Sequence, residues 1–191
     1  MRPVVYVSSA ADFDKHKREL KLRPCPHCRA VGGLIRHGYL RGHGEGTHNE
    51  VRRGWRVFCS DRYRRPGCGK THALLLTEFM FHRMVKSAYL WQRLHNLREG
   101  LSLKSAWEKI VSPFSLDTGY RLRQAFLRSQ SFIRSLLLRA GTLPKTKVTD
   151  PALQLIDHLK AIFPSSTCPV ADFQFRFQTA FLHTVYLNRS G

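Results

Sequence analysis

The chain has 191 residues, 42% of them hydrophobic, with 32 Lys+Arg against 13 Asp+Glu and a formal charge of +19. That length holds one compact domain or two small ones, and a field of that size and sign attracts polyanions, of which nucleic acid is the commonest for a cytosolic protein. No secretory signal, apolar run of about 18 residues or lysine-faced amphipathic helix is apparent, so a cytoplasmic, nucleoid-associated protein without a membrane partner is expected.

The first element is an arm, residues 1–22, that opens with Val4-Val5-Tyr6-Val7 and passes into the charged run Asp14 to Glu19. Its pattern fits a strand or a short helix. Residues 23–76 follow as a module built on Cys25-Pro-His-Cys28 and, thirty residues later, Cys59-x8-Cys68. A Cys-x-x-Cys pair brings two thiolates to one ion without straining the turn between them, and two such knuckles close a tetrahedral zinc site. Replacement of one thiolate by His27, His37 or His72, a disulfide framework, and four metal-free cysteines are the alternatives. Cys168 reads as an ordinary core cysteine. Between the knuckles, residues 31–39 and 51–59 read as two strands joined by a glycine-rich loop. That loop carries His43, His48 and Asn49, a set too loosely held to support a nuclease.

A module of about fifty residues buries little core, so the metal is expected to supply its stability. Its cations, Arg52, Arg53, Arg56, Arg62, Arg64, Arg65 and Lys70, are candidate phosphate contacts, with Trp55 and Tyr63 available for stacking on bases.

From Thr77 the periodicity becomes helical, and residues 77–141 are expected to form a helix-turn-helix-like domain. A first helix is expected to run to about Arg98 and stop at Gly100. A short one, Leu103 to Ile110, is capped by Ser102, and a long one runs from Ser115 or Asp117 to about Ala140. The long helix has Leu122, Ala125, Phe126, Ile133, Leu136 and Leu137 on one face. Arginines flank that face: Arg121, Arg128 and Arg139 on one side, Arg123 and Arg134 on the other. Arg121 and Arg123 are the candidates to reach base edges, because a guanidinium pairs bidentately with guanine. A plain three-helix bundle with solvated arginines fits the same pattern. Residues 142–191 read as a linker and a helical tail, with Pro151 opening one helix; residues 173–178 alternate as a strand would, but Phe173, Phe177 and Phe181 also fit one face of a helix, which is the preferred reading.

The segments Cys25-Pro-His-Cys28, Ile35-Arg-His-Gly-Tyr39, Arg52-Arg-Gly-Trp-Arg-Val-Phe-Cys59 and Gly67-Cys-Gly-Lys-Thr71 resemble the N-terminal zinc ribbon of bacterial insertion-sequence transposases. The resemblance covers about residues 23 to 140. It implies a ribbon followed by a helix-turn-helix, together recognising the terminal repeats of the element. The x8 spacing of the second knuckle departs from the family pattern. A transposase also needs three separated carboxylates on a ribonuclease-H-like domain, and after residue 110 the acids are only Asp117, Asp150, Asp157 and Asp172. Tyr186 with His183 and Arg189 makes a thin case for tyrosine recombination.

The expectation is therefore a small zinc-ribbon β module followed by a mainly α-helical, helix-turn-helix-like domain. It would be a non-enzymatic, sequence-specific binder of double-stranded DNA from a mobile genetic element or related prokaryotic system. It would target or assist a separate recombinase, transposase or nuclease, with a homodimer also open. An RNA-binding ribbon and a protein-docking subunit of a nucleoprotein complex are the rivals.

Overall fold

The computed structural model describes residues 4–43, 50–64, 67–81, 83 and 85–182. His48, Asn49, Arg65, Met84, His183, Tyr186 and Arg189, on which expectations fell, lie outside the described residues. A four-stranded sheet opens the fold and a mainly helical region follows it.

In the sheet, β1 (Val4–Val7) runs parallel to β4 (Thr71–Leu76), and β4, β3 (Glu50–Cys59) and β2 (Leu34–His43) continue as antiparallel neighbours. The two-stranded ribbon read from the sequence is thus half of a larger sheet. The arm supplies both of its candidate elements, strand β1 and helix α1 (Ala10–Arg18). Ser9 caps that helix by accepting the Asp12 amide at 3.1 Å, as an N-cap serine should.

Strand β4 escaped the sequence reading because Thr-His-Ala-Leu-Leu-Leu has no polar alternation. Its place inside the sheet explains this, since both its faces are covered and neither needs to be polar. Leu74 packs with Val7, Leu20, Leu34, Trp55 and Val57 beneath α1, while Ala73 and Leu75 pack with Val4, Tyr6 and Phe79 on the opposite face.

The first long helix, α2 (Ser87–Arg98), also starts later than the periodicity indicates. After β4 the chain folds back on itself: Phe79 bridges Lys86, and the Ser87 amide donates to the Glu78 carbonyl at 2.8 Å. Met80 and Val85 enter the helical core from this hairpin rather than from a helix face.

Then come α3 (Leu103–Glu108), α4 (Leu116–Ala140), α5 (Pro151–Ile162) and α6 (Pro169–Phe177). One core unites them: Leu90 and Leu94 of α2, Trp107 of α3, Leu122, Phe126, Ile133 and Leu137 of α4, Leu155 and Leu159 of α5, and Phe173 of α6. The segment expected to form a tail is therefore integral to the helical region as far as residue 182. A bidentate ion pair, Arg98 to Asp157 at 2.7 and 3.1 Å, joins α2 to α5, and Thr146 donates to the same carboxylate at 2.9 Å.

Two glutamines of the last segment tie the helices to the sheet. The buried Gln174 amide donates to the Thr77 carbonyl at 2.9 Å and to the Ser87 hydroxyl at 3.2 Å. Gln178 accepts the Tyr6 amide at 2.9 Å and donates to the Tyr6 carbonyl at 3.1 Å, so its side chain pairs with β1 as a strand peptide would. No described helix is long and apolar enough to cross a membrane.

Candidate metal centre and nucleic-acid interface

The four cysteines Cys25, Cys28, Cys59 and Cys68 come together, with all four sulfurs within 4.8 Å of one another. Cys25 and Cys68 are 3.9 Å apart, and Cys28 and Cys59 3.8 Å. A disulfide needs about 2.05 Å. A tetrahedral ion with metal–sulfur bonds of about 2.3 Å separates its sulfurs by about 3.8 Å, so the set can hold a metal ion.

Each knuckle is built by backbone bonds. In the first, the Cys25 amide donates to the Ala30 carbonyl and the Arg29 amide to the Cys25 carbonyl, both at 2.9 Å, while the His27 amide faces the Cys25 sulfur at 3.4 Å. Arg29 closes this turn in the left-handed region, at φ 65°. In the second, the Cys59 amide and carbonyl pair with Lys70 and Gly69, both at 2.9 Å, and the Cys68 amide faces the Cys59 sulfur at 3.4 Å. The chain leaves and re-enters the site in ladder geometry, with the Ser60 amide donating to the Gly33 carbonyl at 2.8 Å and the Gly69 amide to the Cys59 carbonyl, which is how an irregular spacing still closes the site. Gly67 is needed there because a Cβ would overlap the Ser60 carbonyl.

Without an ion the thiols differ. Burial pushes Cys59 up to about 12 and also raises Cys68, whereas the Ala30 amide holds the exposed Cys28 below the ordinary thiol value. The histidine alternatives lie outside this set. His27 Nε2 meets the Thr71 carbonyl at 3.1 Å, His37 packs on Phe58, and His72 is buried within the sheet. Cys168 stands at the N-terminus of α6, half-buried against the helical core.

The ribbon cations divide between two faces because the β2–β3 ladder carries two bulges. Register slips between Arg36 and Gly38 and between Leu40 and Arg41. A bulge puts neighbouring residues out of the usual alternation. Arg36 thereby shares a face with Tyr39 and Trp55: its guanidinium carbon is 4.9 Å from the Trp55 ring centre and 5.7 Å from that of Tyr39. Arg52 lies over the other side of the row at 3.8 Å from Tyr39, and Lys17 of α1 reaches within 5.0 Å of Trp55. Arg52 and Arg36 are thus within about 10 Å of one another, as are Arg36 and Lys17. That distance is a Debye length at 0.1 M salt, so their fields add. None of the three forms an ion pair with a described residue. Nothing in the spacing marks Lys17 or Arg36; only the bulge and the helix packed on the sheet bring them beside Arg52.

Arg53 turns to the opposite face, where its guanidinium lies over Phe79 and bonds the Arg83 carbonyl. Arg56, Arg62, Arg64 and Lys70 are exposed, the arginines at 62 and 64 on the knuckle loop with Tyr63. Trp55 is buried and serves the core, while Tyr63 is 94% exposed.

In the helical region, Gly100 (φ 87°) turns α2 into α3, and Ser102 caps α3 by accepting the Ser105 amide at 3.1 Å. Gly119 lets α4 approach this pair closely. A Cβ there would overlap the Arg93 guanidinium and come within 2.8 Å of the Trp107 ring. Arg93 is fully buried, with its guanidinium 5.2 Å from the Trp107 ring centre and 6.0 Å from that of Tyr120. Burial lowers its pKa, the nearby charge of Arg123 adding to the effect. Along α4 the exposed stripe holds Asp117, Tyr120, Arg121, Gln124 and Arg128. Arg121 is paired with Asp117 at 2.7 Å. Arg123, two residues on, turns about 200° away and lines a cavity instead. Arg134 donates to the Pro151 carbonyl at 3.0 Å. Gln124, whose amide suits adenine as arginine suits guanine, lies on the Arg121 stripe but has no charge to mark it in the sequence.

No protein-family model, curated protein or solved structure matches this chain.

Proposed function

We propose that this chain is a zinc-stabilised, sequence-specific double-stranded DNA-binding protein of a mobile genetic element or related prokaryotic system. It acts as a targeting or accessory subunit for a separate recombinase, transposase or nuclease. Zinc is the ion that suits four thiolates at tetrahedral spacing, and its role is structural. The observation that carries the nucleic-acid reading is the row Lys17–Arg36–Arg52: three cations within a Debye length of their neighbours, ordered on two aromatic rings and unpaired with any described carboxylate. Such a row costs little side-chain entropy when it meets an anion, because cation–π contact already orders the side chains. It suits the regular phosphates of a duplex.

Sequence readout falls to the α2–α3–α4 unit, read as a helix-turn-helix, with Arg121 and Gln124 turned outward near the start of α4. The exposed Asp117–Arg121 pair is worth little and opens at small cost when arginine takes a base or phosphate. The resemblance to transposase DNA-binding regions agrees with this division of labour.

The test is an equilibrium titration of the zinc-loaded protein against duplexes tiled from the DNA flanking its own gene, with unrelated competitor present. The expected result is one duplex bound at least about a thousandfold more tightly than the rest. In Lys17→Ala/Arg36→Ala/Arg52→Ala the slope of log affinity against log salt should become shallower by about 2.7, three phosphate contacts at about 0.9 each. Equal binding to every duplex, or tighter binding to RNA, would overturn the proposal.

A further inference from the structure

The displaced Arg123 lines a cavity of about 270 Å³ where α2, α3, α4 and α5 converge. Its walls are apolar: Leu97 of α2, Leu103 of α3, Phe126 and Leu127 of α4 and Leu153 of α5. The leucines among these are only half-buried, so the concavity opens to solvent.

Three polar side chains stand on it, of which the Ser102 hydroxyl is committed to capping α3. The Asp150 carboxylate is committed to capping α5, its Oδ1 accepting the Ala152 amide at 2.7 Å and the Leu153 amide at 3.4 Å. Arg123 has no hydrogen bond or ion pair with a described residue. Its charge is opposed by the buried Arg93, whose Nε and Nη1 also lack hydrogen-bond partners. A cation excess beside a leucine-lined concavity fits an anion that carries an apolar body, and pockets between bundle helices are common places for such ligands. The guanidinium fork matches a carboxylate in two parallel bonds. The Asp150 carboxylate on the same lining repels anions, a phosphate dianion more strongly than a monoanion, and so favours a single negative charge. At roughly 30 Å³ per heavy atom, the share of a liquid water, the cavity holds about nine.

We propose that this cavity binds a small monocarboxylate with an apolar chain of about six to eight carbons, its carboxylate on Arg123 and its chain among the leucines. Because Leu103 belongs to α3 and Leu127 to α4, the occupant bridges the two helices assigned to DNA readout and stiffens their joint. Binding itself requires nothing of the DNA-binding reading, and is tested without nucleic acid.

The experiment is a calorimetric titration of the full, metal-loaded chain with hexanoate and octanoate, and with 1-octanol as the uncharged comparator. Saturable binding at one site is expected, at least about tenfold tighter for octanoate than for 1-octanol, the scale of one charge-assisted hydrogen bond. Arg123→Met should weaken octanoate by a similar factor while Arg121→Met leaves it unchanged. Absence of saturation by about 5 mM, equal affinity for octanoate and 1-octanol on the unmodified chain, or undiminished binding to a folded Arg123→Met would overturn the assignment.

Discussion

Gly119→Ala probes the joint that sets the angle of α4, and its cost can be worked from the contacts. Alanine favours a helix interior over glycine by about 1 kcal/mol. Against this, the added methyl overlaps the Arg93 guanidinium and sits 2.8 Å from the Trp107 ring, where neither neighbour is free to swing into solvent. Overpacking of this kind costs up to about 3 kcal/mol, so the net destabilisation should be about 2 kcal/mol. For a chain of this size that is a fall of roughly 4–8 °C in Tm. Replacing the arginine with a softer, uncharged chain should remove most of the conflict. In an Arg93→Met background Gly119→Ala is therefore expected to be close to neutral, which makes a coupling of about 2 kcal/mol in the double-mutant cycle. Urea unfolding of the four metal-loaded proteins measures it. A coupling below about 0.5 kcal/mol, or a stabilising Gly119→Ala on its own, would refute the account of glycine as a close-approach residue.

The metal centre makes a second expectation: Cys59→Ser, or an excess of chelator, should release the ion and open residues 25–70 to protease, and unchanged protection would sink the assignment. Metal affinity should also fall as pH is lowered, because Cys59 and Cys68 hold their protons firmly in the metal-free site and must give them up to bind; competition titrations at pH 6, 7 and 8 read this. A third concerns His16 and His72, each pushed down to about 4, by burial first and then by neighbouring positive charge. Both are neutral in the fold, so from pH 6.5 down to about 4 the unfolded chain takes up protons that the fold refuses, and stability should decline through that window and level off below it. The loss between pH 7 and 5 should be smaller in His16→Gln and His72→Gln, and an identical pH profile in both variants would contradict the burial argument. Finally, Asp157 is held below the ordinary carboxyl range because its bonds to Arg98 and Thr146 outweigh the opposing effect of burial. Asp157→Asn should cost about 1–2 kcal/mol in urea unfolding, and a neutral substitution would remove the α2–α5 tie from the account of the core.

The cysteine quartet was legible because a Cys-x-x-Cys pair followed by two further thiols is chemically conspicuous whatever the intervening loop does. The cap at Ser102, the helix start at Pro151 and the stop at Gly100 were legible for the similar reason that a helix end needs particular residue types. Strand β4 was not, because alternation marks a strand only where one face meets water, and Leu74 and Leu75 each meet a core. The start of α2 was obscured by the Phe79–Lys86 fold-back, whose apolar residues mimic a helix face. Lys17 and Arg36 could not be grouped with Arg52 without knowing where the β2–β3 register slips. Arg121 and Arg123 looked equivalent as charges on the shoulders of one helix, yet their surroundings differ: one faces solvent beside Asp117, the other a cavity walled by leucines.

The pairing of the Gln178 side chain with Tyr6 spans 172 positions of the chain. On the ribosome, the outer edge of β1 is therefore made 172 residues before the side chain that covers it. At about 5–20 residues per second, that leaves an open strand edge for roughly 10–30 s. Throughout that interval β1 offers an unpaired peptide edge to any other extended segment. A slowdown in translating α6 should thus raise aggregation of the nascent chain even when strands β1 to β4 have already paired.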